Sequence, residues 1–94
     1  MKPGRLLEIV EVGPRDGLQN EPEALPIATR REFIERAVGA GLKRIEVASF
    51  VDPKRVPQMA DADELVRTLP RHEGVHYIGL VLNRRGFDRA VLLQ

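Results

Sequence analysis

Val10-Glu11-Val12-Gly13-Pro14-Arg15-Asp16-Gly17-Leu18-Gln19-Asn20-Glu21 runs an apolar strand straight into a polar turn. Glycines flank the turn, and Pro14 removes one backbone donor. A turn needs only its Gly and Pro, so Arg15 and Asp16 side by side ask for a further reason. A fixed guanidinium beside a fixed carboxylate suits metal binding and oxyanion stabilisation. A turn carrying a surface ion pair is the competing reading. Parallel α/β folds gather their functional groups at the C-terminal ends of strands, where this turn falls.

Working outward, Leu6 to Val12 reads as the first strand, interrupted by Glu8 and Glu11. Thr29-Arg30-Arg31-Glu32 matches a capping box and opens a helix at Thr29. Phe33, Ile34, Ala37 and Val38 share one face of that helix, and Gly41 caps its end. Arg44 to Phe50 is a second strand. A loop with Pro53 and Pro57 follows, and Asp61-Ala62-Asp63-Glu64 is a second capping signature. It leads a short helix with Leu65, Val66 and Leu69 inward, stopped by Pro70. His76 to Leu82 is a third strand. Asn83 caps a third helix, whose buried face holds Phe87, Ala90 and Val91. The order βαβαβα implies an α/β fold with a parallel sheet. A doubly wound open sheet and part of a (β/α)₈ barrel both fit. An eight-stranded barrel takes about 250 residues, so three strands would be a portion of one.

The 94 residues, 43% hydrophobic and 31% charged, have the composition of a globular chain and the size of one small domain. Net charge is +1, and the basic residues are scattered among the acids with no aromatic stripe between them. Nucleic acid is therefore not the expected partner. The absence of cysteine excludes disulfides and thiol chemistry within these residues. No apolar run has signal or membrane-spanning length, so the expected location is the cytoplasm, with no membrane partner.

Glu46 lies mid-strand between Ile45 and Val47, in a sheet expected to be covered on both faces. A buried carboxylate must pair or protonate. Arg15, at the end of the neighbouring strand, is the obvious partner, in a catalytic or a structural ion pair. Glu11 follows the same logic with less specificity. Ser49 and Asn83 end strands, where capping competes with ligand contact. His72-Glu73-Gly74-Val75-His76 matches the zincin letters HExxH, but that chemistry needs both imidazoles on one helical face. Pro70 before it and Gly74 within it read instead as a turn entering a strand. Gly13 to Gly17 lacks the spacing of a phosphate loop.

With these residues in place, the chain resembles the N-terminal portion of the hydroxymethylglutaryl-CoA lyases, within the metal-dependent Claisen-type TIM-barrel group. The resemblance covers roughly residues 8–91. Val10 to Glu21, Ile45 to Val51, Pro53-Lys54 and Val56-Pro57-Gln58-Met59 carry it. The implied fold is the (βα)₃ portion of a TIM barrel, with residues 1–94 a single partial domain. By the resemblance Asp16 is a metal ligand for Mg²⁺ or Mn²⁺. Arg15 steadies the enolate oxygen of the leaving thioester, and Glu46 is an active-site residue beside it. Gln19 and Ser49 match polar positions near the substrate. The implied reaction is retro-Claisen cleavage of 3-hydroxy-3-methylglutaryl-CoA to acetyl-CoA and acetoacetate, a step of leucine degradation, in a possible homo-oligomer.

The family's two metal-binding His, a later Asn ligand and a mobile-loop Cys fall beyond residue 94, and neither His72 nor His76 matches them. The 94 residues alone are therefore expected to be inactive. Val47 and Ala48 stand where relatives often have Thr. Arg55 replaces a common aromatic, and Val81-Leu82 precede Asn83 where Thr-Pro is frequent. These departures bear on substrate preference. The rivals are a related condensing enzyme of the isopropylmalate or homocitrate synthase type, a non-catalytic truncated product, and a zinc hydrolase.

Overall fold

The structure is a computed structural model that describes residues 7–94. Among these residues, β1 (Val10–Glu11), β2 (Arg44–Ser49) and β3 (His76–Leu80) form one parallel sheet in the order β1-β2-β3. Val10 pairs with Arg44, and Arg44 with His76. Between and after the strands come α1 (Ile27–Gly39), α2 (Ala62–Thr68) and α3 (Arg84–Val91).

The core is the seam between β2 and the first two helices. Ile45 and Val47 of β2 bury against Ile34 and Ala37 of α1, Ala62 and Leu65 of α2, and Met59. Each fully buried Ile or Leu contributes about 1.5–3 kcal/mol. Arg30 of α1 is also buried and bonds to Asp61 and to the sulfur of Met59, which ties α1 to the start of α2. Arg89 of α3 bonds to Asp63 of α2, donates to the Val51 carbonyl at 3.2 Å, and lies 5.4 Å over the Phe50 ring. Val47 and Phe50 of the sheet side share an open groove with Val66 and Leu69 beside α2 and Ala90 of α3. The three helices therefore line up on one face of the sheet. A doubly wound fold would divide them between two faces.

A bulge in β2 decides what the other face presents. Glu46 pairs with Ile78, and the next pair is Ala48 with Gly79, which leaves Val47 as the extra residue. In a regular strand, residues 46 and 49 would point to opposite faces. The extra residue shifts the alternation by one, so Glu46 and Ser49 share a side while Val47 and Phe50 share the helix side.

Several boundaries differ from the sequence reading. Leu6 lies outside the described residues, and Leu7 to Ile9 form no strand. β1 has only β2 to pair with, and Val12 already belongs to the following turn. α1 starts at Ile27, behind Pro26 at the N-cap, with no side-chain cap. Thr29 lies inside the helix, so the capping box does not form. Asp61 occupies the N-cap of α2 but makes no capping bond, because its carboxylate goes to Arg30. β3 stops at Leu80, where its partner β2 also stops.

Phe33, Phe87 and Val91 keep about half of their surface exposed, and Ala90 is half-buried. Gly86 is the buried residue of α3, because a β-carbon there would sit 2.3 Å from the Phe50 carbonyl oxygen. Two caps hold as read. Asn83 Oδ1 accepts from the Gly86 N–H at 2.8 Å. Gly41, at φ 99°, ends α1 in a Schellman motif, with Leu42 N–H on the Ala37 carbonyl and Gly41 N–H on that of Val38.

Candidate functional site

The segment after β1 is one wide helical turn. Gly13–Gly17 forms a π-helical turn. The Val12 carbonyl accepts from Arg15 N–H at 3.1 Å, Asp16 N–H at 2.7 Å and Gly17 N–H at 3.3 Å. Pro14 sits in its first turn, where a backbone donor would be unpaired in any case. Single π turns are rare and concentrate at functional sites. Glu11 is committed to building this one, since its Oε2 accepts from the Gly13 N–H at 2.9 Å.

The turn presents Arg15 to the strand beside it. Arg15 Nε donates to Glu46 Oε1 at 2.5 Å, and each side chain is only 16% exposed. This is the pairing a half-sunken mid-strand carboxylate requires. The bond fixes the guanidinium plane and uses neither Nη2 nor the second Glu46 oxygen. Asp16 is different: its carboxylate is 55% exposed. Arg15 Nη1 and Asn20 Nδ2 both reach its Oδ1 only at 3.5 Å. The Asn20 amide makes its short bond, 2.8 Å, to the Asp16 carbonyl.

Gln19 and Ser49 meet each other. Ser49 is fully buried and its Oγ donates to Gln19 Oε1 at 2.9 Å. Arg15, Asp16, Gln19, Glu46 and Ser49 thus form one cluster where β1 and β2 end, on the sheet face that carries none of the three α-helices described. The sequence reading did not single out Asn20 or Gln58. Both stand inside the quoted motifs, but nothing in a motif tells which atoms they touch. Gln58 Nε2 donates to the Glu21 carbonyl at 2.6 Å and joins the connection after β2 to the one after β1. Asn83 serves as the cap described above.

His72 and His76 do not form a zincin pair. His76 begins β3, while His72 precedes it in a turn with its Nε2 3.0 Å from both carboxylate oxygens of Glu35 on α1. Among the described residues no group of three His, Cys, Asp or Glu is placed to hold a metal. Asp16 offers one accessible hard oxygen donor. That fits Mg²⁺ or Mn²⁺, which retain water and substrate oxygens as ligands, provided further ligands come from elsewhere.

A scan against protein-family models finds no match. Curated proteins do match. The chain is 51% identical over 84 residues to the hydroxymethylglutaryl-CoA lyase of Pseudomonas mevalonii, covering 89% of this chain and 28% of that enzyme. It is 47% identical over 92 residues to the (R)-citramalyl-CoA lyase of Chloroflexus aurantiacus, covering 87% of this chain and 29% of the relative. Among solved structures, an HMG-CoA lyase from Acinetobacter baumannii, in complex with coenzyme A and 3-methylmalate, superposes with a TM-score of 0.88. That match has 41% identity and covers 94% of this chain and 29% of that one.

The one-sided helices and these superpositions together match a segment of the TIM-barrel fold of those lyases, and the open doubly wound sheet is set aside. The chain is a homologue of hydroxymethylglutaryl-CoA lyases over most of its own length, and it spans less than a third of the length of the relatives it matches.

Proposed function

We propose that these residues are the part of a metal-dependent carbon–carbon lyase that supplies Arg15, Asp16 and Glu46 to retro-Claisen cleavage of 3-hydroxy-3-methylglutaryl-CoA. Residues 1–94 are then one partial domain, with the remaining strands and metal ligands in a longer parent. The observation that carries this reading is the Arg15–Glu46 bond beside the open Asp16 carboxylate, at the strand ends of that sheet face.

In the cleavage, the tertiary hydroxyl of the substrate loses its proton and its oxygen becomes the carbonyl of acetoacetate. The carbon–carbon bond breaks, and its electron pair passes to the thioester as an enolate, which is protonated to acetyl-CoA. Asp16 would hold a divalent cation, Mg²⁺ or Mn²⁺, which when bound would supply Lewis-acid polarisation of the substrate oxygens. Arg15 has Nη2 without a hydrogen-bond partner among the described residues, and this group is the donor for the enolate oxygen. Glu46 holds the guanidinium in position, so no reorganisation is needed as negative charge develops. A donor placed that way contributes about 3–4 kcal/mol to the transition state. Gln19, held by the buried Ser49 hydroxyl, fixes the polar wall beside it and contacts the substrate. The matches to lyases of two different acyl-CoA thioesters fit a segment that carries the shared chemistry and leaves acyl selection to other residues. A role in leucine degradation and a cytoplasmic location belong to the same proposal.

The test is acetoacetate release from 3-hydroxy-3-methylglutaryl-CoA by the longer parent, with Arg15→Gln as the variant. The variant should lose about 10²- to 10³-fold in kcat while still binding Mn²⁺. A parent without lyase activity, or a variant within tenfold of it, would refute the assignment. The purified 94-residue chain should release no acetoacetate.

A further inference from the structure

Asp16 is the least restrained member of the cluster by its own contacts, with only two partners at 3.5 Å on one oxygen. The backbone that carries it is held more firmly, and from a distance. Asn20 Nδ2 donates to the Asp16 carbonyl at 2.8 Å and so closes the end of the π turn. Asn20 and its neighbour Glu21 are exposed and lie just outside that turn. Glu21 N–H bonds to the Leu18 carbonyl at 3.2 Å. Its own carbonyl takes the Gln58 amide at 2.6 Å, from a residue 37 positions further on. Gln58 in turn sits in the 3₁₀ turn Pro57–Met59, which is anchored because Met59 is fully buried and touches Arg30. A continuous line of bonds therefore runs from the buried core, through Gln58 and the Glu21 carbonyl, to Asn20 and Asp16.

We propose that Asn20 and Gln58 are positioning residues for the Asp16 carboxylate: Gln58 pins the Leu18–Glu21 segment, and Asn20 sets the direction in which Asp16 leaves the turn. The inference rests on reading Asp16 as a metal ligand. Neither residue needs to touch substrate or cation. Partners one step removed from a metal typically change its affinity 10- to 100-fold when lost, because the ligand must then be ordered on binding.

Mn²⁺ titration of the longer parent, followed by the electron paramagnetic resonance signal of the free ion, tests this without turnover. Gln58→Glu keeps size and shape but faces the Glu21 carbonyl with an acceptor, while Gln58→Lys restores a donor. Asn20→Ala removes the second link at an exposed site. Gln58→Glu and Asn20→Ala should each weaken Mn²⁺ binding about tenfold. The KM for the acyl-CoA at saturating metal should stay within twofold of the parent, and Gln58→Lys should recover most of the loss. Unchanged Mn²⁺ affinity in Gln58→Glu and Asn20→Ala overturns the proposal. An equal loss in Gln58→Glu and Gln58→Lys also overturns it, since that is a packing effect. Asp16→Asn separates the two levels: if it binds Mn²⁺ as the parent does, the ligand reading itself fails and this inference with it.

Discussion

Tyr77 carries a pH dependence that its position explains. Its hydroxyl donates to the Pro70 carbonyl at 2.5 Å. Burial first, and the Glu35 carboxylate second, push its pKa above the ordinary value of 10.0. Unfolding returns the phenol to that ordinary value, so the unfolded chain gives up the proton more readily. Stability from this group is intact below about pH 10 and is lost as pH rises from there towards the folded-state pKa. Tyr77→Phe should flatten the alkaline decline of unfolding free energy measured in urea. Parallel declines for both proteins would show that Tyr77 is not the source.

At this scale the Arg15–Glu46 pair was legible, because a mid-strand carboxylate has to find a cation and only one stood at the adjacent strand end. The Ser49–Gln19 bond was not, since neutral polar groups accept many partners. Arg30 was not legible either: it is buried, and it takes the Asp61 carboxylate that the sequence assigned to a cap.

Elements were legible in number and order and less so at their edges. Alternation of apolar runs with capping and glycine signals gave all three strands and all three helices. The ends depended on tertiary partners: strands stop where pairing stops, and α1 begins at Pro26 rather than at its capping box. The β2 bulge left no signature in Arg44 to Ser49, yet it sets which side Ser49 faces. For α3 the apolar residues Phe87 and Val91 suggested the buried face, and the close approach is made instead by Gly86. Gly86→Ala would drive a methyl group into the Phe50 carbonyl and should cost about 1–3 kcal/mol, the usual range for overpacking. Chemical denaturation of the longer parent reads this directly. A variant as stable as the parent would mean that α3 shifts at no cost.

For the whole molecule, the choice between barrel and open sheet rested on where the helices lie, which periodicity alone does not encode. Arg30–Asp61 and Arg89–Asp63 join the three helices along one face, and Leu82, Phe87 and Val91 stay exposed among the described residues. The sheet's strand order also repeats the chain order, β1-β2-β3, and this has a kinetic consequence. The cross-links of the site, Arg15–Glu46, Ser49–Gln19 and Gln58–Glu21, close loops of 31, 30 and 37 residues. Loop-closure entropy changes only slowly with length, so the three face nearly the same cost. None of the three has its side-chain partner on β3. During synthesis the site should therefore close as one unit once α2 has left the ribosome, with the rest of the chain still to be made. The absence of cysteine makes this measurable. A Gln19→Cys, Ser49→Cys pair should oxidise to a disulfide in nascent chains arrested with Leu69 just emerged, as fully as in chains released through Gln94. A bond that forms only after β3 has emerged would show that the pairing of β3 with Glu46 and Ser49 is needed to shape the site.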